Sequence, residues 1–146
     1  MNRTENIFQQ LNNEKIATDI GTKVHKQLQH ISKHPDSEMF KKITADNTLS
    51  EFFGVKSKTE VPIAGTINGK FISRRIDRLY INNDTKTIAI IDYKTDKNRE
   101  VFYTKYVYQL NEYITLLQQI YPEYSITGYI LWTHDFLLEK IPQKHL

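Results

Sequence analysis

The sequence predicts an α/β fold in which a mixed central β-sheet is flanked by helices, and three observations support this prediction. Residues 1–50 show helical spacing, residues from about 55 to 94 are rich in β-branched and aromatic side chains, and a long helical pattern precedes two short strands. This order of elements is typical of a mixed sheet covered by helices. We therefore expect a single domain of 146 residues, with N-terminal helices in 1–50 and the α/β core in 55–142.

The N-terminal part carries one apolar stripe with the period of a helix. Its members recur at steps of three or four, and they are Ile16, Ile20, Val24, Leu28 and Ile31. Pro35 ends this pattern, and either Asp36 or Ser37 can cap a second helix.

The middle of the chain has the features of a β-meander. The segment "KTEVPIAGTINGKFISRRIDRLYI" contains Asn68-Gly69, which is a strong signal for a tight hairpin turn. A second turn in residues 82–85 leads into "KTIAIIDYK", which we expect to be another strand. Three or four strands therefore precede the next helix.

The last part of the core predicts a long helix and two closing strands. Apolar side chains keep helical spacing from Tyr103 until Pro122 ends the helix. The segments "SITGYILWT" and "FLLEKI" then have the composition of strands.

The second turn allows a geometric inference about two acids. If residues 84–85 form a two-residue turn, Asp77 lies directly opposite Asp92 in the hairpin. Lys94 lies two residues beyond Asp92 and therefore points to the same face of the sheet. A longer turn or a bulge would shift this pairing.

Two carboxylates held this close repel each other unless a cation lies between them. Oxygen ligands suit Mg²⁺ or Mn²⁺, and a neighbouring lysine can steady a phosphate or position an attacking water. The alternative is that Asp77 and Asp92 are solvated residues at strand ends, because single Asp-x-Lys triplets are common.

Several segments, in this order and spacing, resemble the nuclease domain of RecB-type helicase–nucleases, which belongs to the PD-(D/E)xK superfamily. They are "GTKVHKQLQHI", "EVPIAG", "RRIDRLYI", "IAIIDYKT", "YQLNEY" and "IYPEYSITGYILWT". The closest likeness is to the C-terminal region of AddA-type subunits, from about Gly21 to Pro142. The resemblance implies a restriction-endonuclease-like core.

The resemblance also implies a role for each residue that matches a family motif. His25, Asp77 and Asp92 match metal ligands, the backbone carbonyl of Tyr93 would complete the metal site, and Lys94 matches the catalytic lysine. On the following helix, the catalytic Gln-x-x-x-Tyr motif is matched by Gln109 and Tyr113. These two residues are four apart and share one helix face, from which they can reach the lysine, the DNA backbone or a base.

The activity implied is that of a Mg²⁺-dependent (or Mn²⁺-dependent) deoxyribonuclease, with exonuclease action expected. In the family this domain hydrolyses phosphodiester bonds of single-stranded DNA during recombinational repair of double-strand breaks. The expected partners are DNA, a helicase motor domain and an AddB-like subunit, in a bacterial cytoplasm. The sequence shows no long apolar run and no leader peptide, so we expect no membrane association.

Charged side chains near the motifs are candidates for contacts to the DNA backbone. The net charge of +3 fits an anionic partner, although many proteins have a similar charge. Such contacts would make binding weaken as salt rises, and the alternative is a solvated face. The candidates are Arg74, Arg75, Arg78, Lys97, Arg99 and Lys105.

Two departures from the family pattern bear on the expected activity. Arg74-Arg75 occupies a stretch where family members often have a small residue, so an arginine there would either contact a phosphate or crowd the site. The chain also has no Gly-x-x-x-x-Gly-Lys-Ser/Thr loop, so we expect an excised domain, a separately encoded remnant or a stand-alone relative without ATP chemistry of its own.

Two rival functions stay open at the level of the sequence. A Cas4-type exonuclease shares this catalytic core but usually has a four-cysteine iron–sulfur cluster, and this chain has no cysteine. A catalytically silent module that binds DNA ends or proteins is the rival from another class. The complete set of Asp77, Asp92 and Lys94 argues against it.

Overall fold

The structure is a computed structural model, and it describes residues 19–146. A first helix, α1, covers residues 19–29 of that part, and Ile31–Lys33 form one 3₁₀ turn after it. The remaining helices are α2 (Glu38–Thr44), α3 (Asn47–Phe52) and α4 (Arg99–Ile120). The strands are β1 (Ser57–Ile67), β2 (Lys70–Asn82), β3 (Thr87–Lys94), β4 (Ser125–Trp132) and β5 (Leu137–Lys140).

The five strands form one mixed sheet in the order β1-β2-β3-β4-β5. Strands β3 and β4 are parallel and are joined through α4, whereas the other neighbours are antiparallel. The α/β class and the mixed sheet flanked by helices are therefore confirmed. Among residues 19–146, no helix combines the length and the apolar character needed to cross a membrane.

Two apolar clusters cover the two faces of the sheet. The larger cluster joins the sheet to α4, with Ile76, Ile90 and Leu110 completely buried. The smaller cluster joins the other face to the N-terminal helices, with Leu28 and Ile91 at its centre. Successive residues of β3 alternate between the clusters, as expected for a strand that is covered on both sides.

Several local predictions are confirmed. The Ser37 hydroxyl accepts a hydrogen bond from the backbone of Phe40 and caps α2. Asn68 and Gly69, with φ of 51° and 78°, form the two-residue turn of the first hairpin. Helix α4 ends before Pro122. Ile16, the first member of the N-terminal stripe, lies outside the described residues.

The second hairpin has the predicted register but a different turn. Arg78 pairs with Ile91 and Asn82 pairs with Thr87, which is the alignment that places Asp77 opposite Asp92. The turn nevertheless spans residues 83–86, because the Asn82 side chain accepts hydrogen bonds from the backbone N–H groups of Asp84 and Thr85 and closes a longer loop. A four-residue loop preserves the pairing that a two-residue turn would give.

Strand β2 changes side-chain phase beside Asp77. Ile72 and Ile76 face the α4 cluster from even positions, whereas Leu79 and Ile81 face the same cluster from odd positions. Glu60 of β1 lies opposite Asp77 and has φ of 53°. The regular pleat is therefore interrupted where the carboxylate enters the site.

We expect Glu60→Gly to raise the free energy of unfolding by about 0.5 kcal/mol. Glycine relieves a left-handed conformation that costs other residues about 1–2 kcal/mol, and part of this gain is offset by its larger chain entropy when unfolded. Thr59→Gly, at an ordinary strand position, is the matched control and should destabilise the protein. Urea denaturation measures both, and a Glu60→Gly variant less stable than the wild type would contradict the prediction.

Candidate active site

Asp92 lies near the end of the buried stretch of β3, the central strand of the sheet. The residue is 4% exposed, and its Oδ2 atom is buried without a hydrogen-bond donor among residues 19–146. The Lys94 ammonium lies 2.9 Å from this oxygen, in a direction that makes an ion pair but not a well-formed hydrogen bond. Burial, together with the Asp77 carboxylate, raises the pKa of Asp92 to about 7 even though Lys94 lowers it.

Asp77 enters the site at the point where β2 and β3 stop pairing. Beyond the Arg78–Ile91 pair, the backbone N–H of Tyr93 donates a 2.9 Å hydrogen bond to Oδ2 of Asp77. Burial acts to raise the pKa of this carboxyl, but hydrogen bonds from His25 and Tyr93 outweigh it and leave the pKa below its ordinary value. The two carboxylates are thus close neighbours with opposite pKa shifts.

His25 approaches Asp77 from α1, on the opposite side from Lys94. Its Nε2 lies 3.4 Å from Oδ2 of Asp77, and its Nδ1 lies 2.8 Å from the carbonyl oxygen of Gly21. Because that carbonyl only accepts hydrogen bonds, Nδ1 carries the proton and Nε2 is the nitrogen that faces the acid. The Asp77 hydrogen bond raises the pKa of His25, although burial opposes the rise.

Helix α4 supplies the predicted pair Gln109 and Tyr113. The Lys94 ammonium donates to Oε1 of Gln109 at 3.3 Å, and the Gln109 amide donates to the Tyr113 hydroxyl at 2.9 Å. The sequence left open whether this pair contacts the lysine, the DNA backbone or a base. In the structure Gln109 contacts the lysine. The helix therefore fixes Lys94 against Asp92.

Tyr106 and Asp96 belong to the same cluster, and sequence analysis assigned neither of them to the site. The Lys94 ammonium lies 4.2 Å from the centroid of the Tyr106 ring, and the Tyr106 hydroxyl donates to the Asp96 carboxylate. The signal was present in the spacing, because Tyr106 lies three residues before Gln109 on the helix face that carries Tyr113. Asp96 is half-buried rather than part of a freely solvated loop.

The structure corrects the prediction that Arg78 contacts the DNA backbone. It is 5% exposed, and it donates hydrogen bonds to the Tyr93 hydroxyl, the Ser57 hydroxyl and the carbonyl of Leu28. Its guanidinium also lies over the Phe53 ring at 4.1 Å. Arg78 therefore joins the sheet to the N-terminal helices and is not available to a DNA strand.

Arg78→Ala is expected to lower the free energy of unfolding by about 2–4 kcal/mol. The substitution removes charge-assisted hydrogen bonds and leaves a buried backbone carbonyl without a donor. Arg75→Ala is the matched control, because Arg75 is exposed and makes only a 3.8 Å ion pair with Glu60. Denaturant titration measures both, and equal, small losses would contradict the structural role of Arg78.

The other five candidate contacts have different surroundings. Arg74 lies against Glu112 of α4 at 3.8 Å, so it is held beside that helix and not over the carboxylates. Arg99 is paired with Asp135 at 2.5 Å. Lys97 and Lys105 are exposed, as is Arg75.

An open cleft of about 880 Å³ runs beside His25, between α1 and the loop after β3. Lys26 and Lys97 contribute positive charge to its walls, and Glu60 and Asp96 contribute negative charge. Lys26 is a further cation that the motifs did not single out. The cleft reaches His25, which contacts Asp77, but neither Asp77 nor Asp92 lines it.

Comparison with models of known protein families and with curated proteins found no match. The likeness to RecB-type nuclease domains therefore rests on the sequence motifs.

The side chains around Asp92 have the chemistry of ligands for a divalent metal ion. Two adjacent carboxylates, one with a buried oxygen that lacks a donor, and an imidazole whose Nε2 faces them are ligands that suit Mg²⁺ or Mn²⁺. In the described part of the chain, however, no three His, Cys, Asp or Glu side chains are already arranged as a metal-binding group. Asp77 and Asp92 are the carboxylates that could hold such an ion, and His25, which contacts Asp77, would be a further donor.

Proposed function

We propose that this protein is a metal-dependent deoxyribonuclease that hydrolyses phosphodiester bonds of single-stranded DNA. The observation that supports the proposal most strongly is that Asp77 of β2 lies beside Asp92, near the end of the central strand β3, with Lys94 held against Asp92. Buried acids with perturbed pKa values beside a fixed cation are typical of catalytic sites. The order and spacing of the motifs add the resemblance to RecB-type nucleases, with a restriction-endonuclease-like core.

Asp77 and Asp92 would hold Mg²⁺ or Mn²⁺, with the Tyr93 carbonyl and His25 as further ligands. When bound, the cation would supply an activated water and neutralise charge on the phosphate. Lys94 would contact a phosphate oxygen as negative charge develops there, and Gln109 would keep the ammonium in place. Tyr113 would orient the Gln109 amide.

The biological setting is proposed from the resemblance. The domain would act in recombinational repair of double-strand breaks in the bacterial cytoplasm, on strands delivered by a helicase motor with an AddB-like subunit. Exonuclease action fits that role.

The proposal is tested by incubating single-stranded DNA with the purified chain and Mg²⁺ or Mn²⁺, with EDTA as the reference. We expect metal-dependent cleavage that is lost in Asp77→Asn. Asp84→Asn is the matched control, since it removes an exposed carboxylate in the turn between β2 and β3, outside the site. If the wild type does not cut in either metal, or if Asp77→Asn cuts equally well, the protein is not this nuclease and a silent binding module is the better description.

Tyr106→Leu is expected to lower kcat about 10-fold or more, whereas Tyr106→Phe should retain most of the activity. Only leucine removes the ring on which the Lys94 ammonium lies, a contact of about 2 kcal/mol in a desolvated site. Single-turnover cleavage rates measure the effect. If phenylalanine is as damaging as leucine, the hydroxyl contact to Asp96 and not the ring is what positions the lysine.

A further inference from the structure

Phe102 lies in the first turns of α4 with its ring partly open to solvent. It is 37% exposed, and its ring stacks on Tyr106 with a centroid distance of 5.9 Å and an interplanar angle of 23°. The Tyr106 ring in turn lies 4.2 Å from the Lys94 ammonium. The Phe102 ring is therefore one aromatic ring removed from the lysine of the candidate active site.

Isolated exposed apolar residues are common and need no functional explanation. Phe102 differs because its ring stacks on Tyr106, and the Tyr106 ring lies against the Lys94 ammonium. Val101, the preceding residue, is more exposed at 66%, but one helical residue rotates it about 100° away from Phe102. Val101 and Phe102 are both exposed, but only Phe102 contacts the ring that lies against Lys94.

The charges around Phe102 suit a phosphate backbone on either side of the ring. Lys105 lies three residues later on the same side of the helix, and Lys97 lies in the loop that precedes α4. Both are exposed, whereas Arg99 is occupied by Asp135. Two acids oppose these charges. Glu100 is exposed and lies two residues before Phe102, which directs it to another face of the helix, and Asp96 accepts a hydrogen bond from the Tyr106 hydroxyl.

We propose that Phe102 is a stacking platform for one unpaired nucleobase, next to the phosphate that Lys94 contacts. Aromatic rings bind bases of any sequence through their faces, and flanking lysines hold the backbone. A base inside a duplex already stacks on both sides, so only an unpaired base can lie on Phe102. The inference rests on the proposed nuclease function and adds the residue that selects single-stranded DNA.

The test measures binding without cleavage, so that it does not depend on catalysis. The full chain is titrated in EDTA, at fixed salt, against a dye-labelled oligothymidylate of about 12 nucleotides and against an abasic strand of equal length. Variants are Phe102→Ala, the conservative Phe102→Trp and the control Val101→Ala. Thermal melting confirms that each variant is folded.

We expect Phe102→Ala to weaken binding of the oligothymidylate about 5- to 150-fold, the range for loss of one stacked base. Phe102→Trp and Val101→Ala should bind like the wild type, and the abasic strand should bind wild type and Phe102→Ala equally. The platform is overturned if Phe102→Ala loses affinity equally for the oligothymidylate and the abasic strand, or loses none for either. It is also overturned if the wild type binds neither strand. Binding as expected without metal-dependent cutting would instead overturn the nuclease and leave the platform in place.

Discussion

Replacing Asp92 by asparagine is expected to abolish metal-dependent cleavage while making the metal-free protein more stable at neutral and alkaline pH. Cleavage should fall by about 10³-fold or more, because several kcal/mol of transition-state stabilisation depend on the cation that this carboxylate would hold. The melting temperature in EDTA at pH 8 should rise by about 5 °C or more, because the variant no longer buries a charge there.

The pH dependence of the effect follows from the pKa of Asp92. Its folded pKa of about 7 lies above the ordinary value of 3.8, so its contribution to stability is fully present below pH 3.8 and is lost as pH rises to about 7. The pKa of His25 is also raised, so its contribution to stability is lost as pH rises above the ordinary value of 6.5. Asp77, with a lowered pKa, contributes stability that is constant above its ordinary 3.8 and is lost only in acid.

Melting curves in EDTA between pH 5 and pH 8 therefore separate the variant from the wild type. The wild type should lose stability across this range more steeply than Asp92→Asn, and Mg²⁺ or Mn²⁺ should raise the melting temperature of the wild type only. Asp135→Asn is a matched control, because its carboxylate is half-exposed and lies outside the site. An Asp92→Asn protein that melts below the wild type at pH 8 would contradict the interpretation of Asp92 as a buried carboxylate that lowers stability when it is ionised.

Lys94→Met is expected to lower kcat about 10²- to 10³-fold while leaving metal binding intact or tighter. The ammonium lies 2.9 Å from the buried oxygen of Asp92, so the lysine would compete with a cation for that oxygen. Methionine keeps the length and packing of the side chain but removes the charge. The loss should appear in kcat, since the charge acts on the phosphate as the reaction proceeds.

Isothermal titration with Mn²⁺ and single-turnover cleavage together test this prediction. Lys70→Met is the matched control, because Lys70 is exposed at the start of β2, beside the first hairpin turn and away from the site. Weaker metal binding in Lys94→Met would show that the lysine organises the acids and does not compete with the ion. Cleavage at the wild-type rate would remove Lys94 from the chemistry.

The positions of Lys94 and Gln109 in the site were predictable because local periodicity controls them. A strand directs Asp92 and Lys94 to one face, and a helix directs Gln109 and Tyr113 to one face, whatever the rest of the chain does. The contact between the lysine and the glutamine then requires only that α4 cover that face of the sheet. The structure has this arrangement.

Arg78 shows where such reasoning fails. In the sequence it is one of several arginines next to a motif, and the period of β2 does not reveal which of them is buried. The phase change between Ile76 and Leu79 turns Arg78 towards Leu28, a residue 50 positions away. A contact of that separation exists only after the N-terminal helices have packed on the sheet.

The sequence by itself determined the α/β class, the register of the second hairpin and the set of polar residues at the end of β3, because these depend on period, turn chemistry and local order. Only the tertiary structure decided the environment of each group. Burial between two helical layers raises the pKa of Asp92, whereas His25 and the Tyr93 backbone lower that of Asp77. The physical reason is that solvation and partner charges are set by groups distant in the chain, which no local pattern encodes.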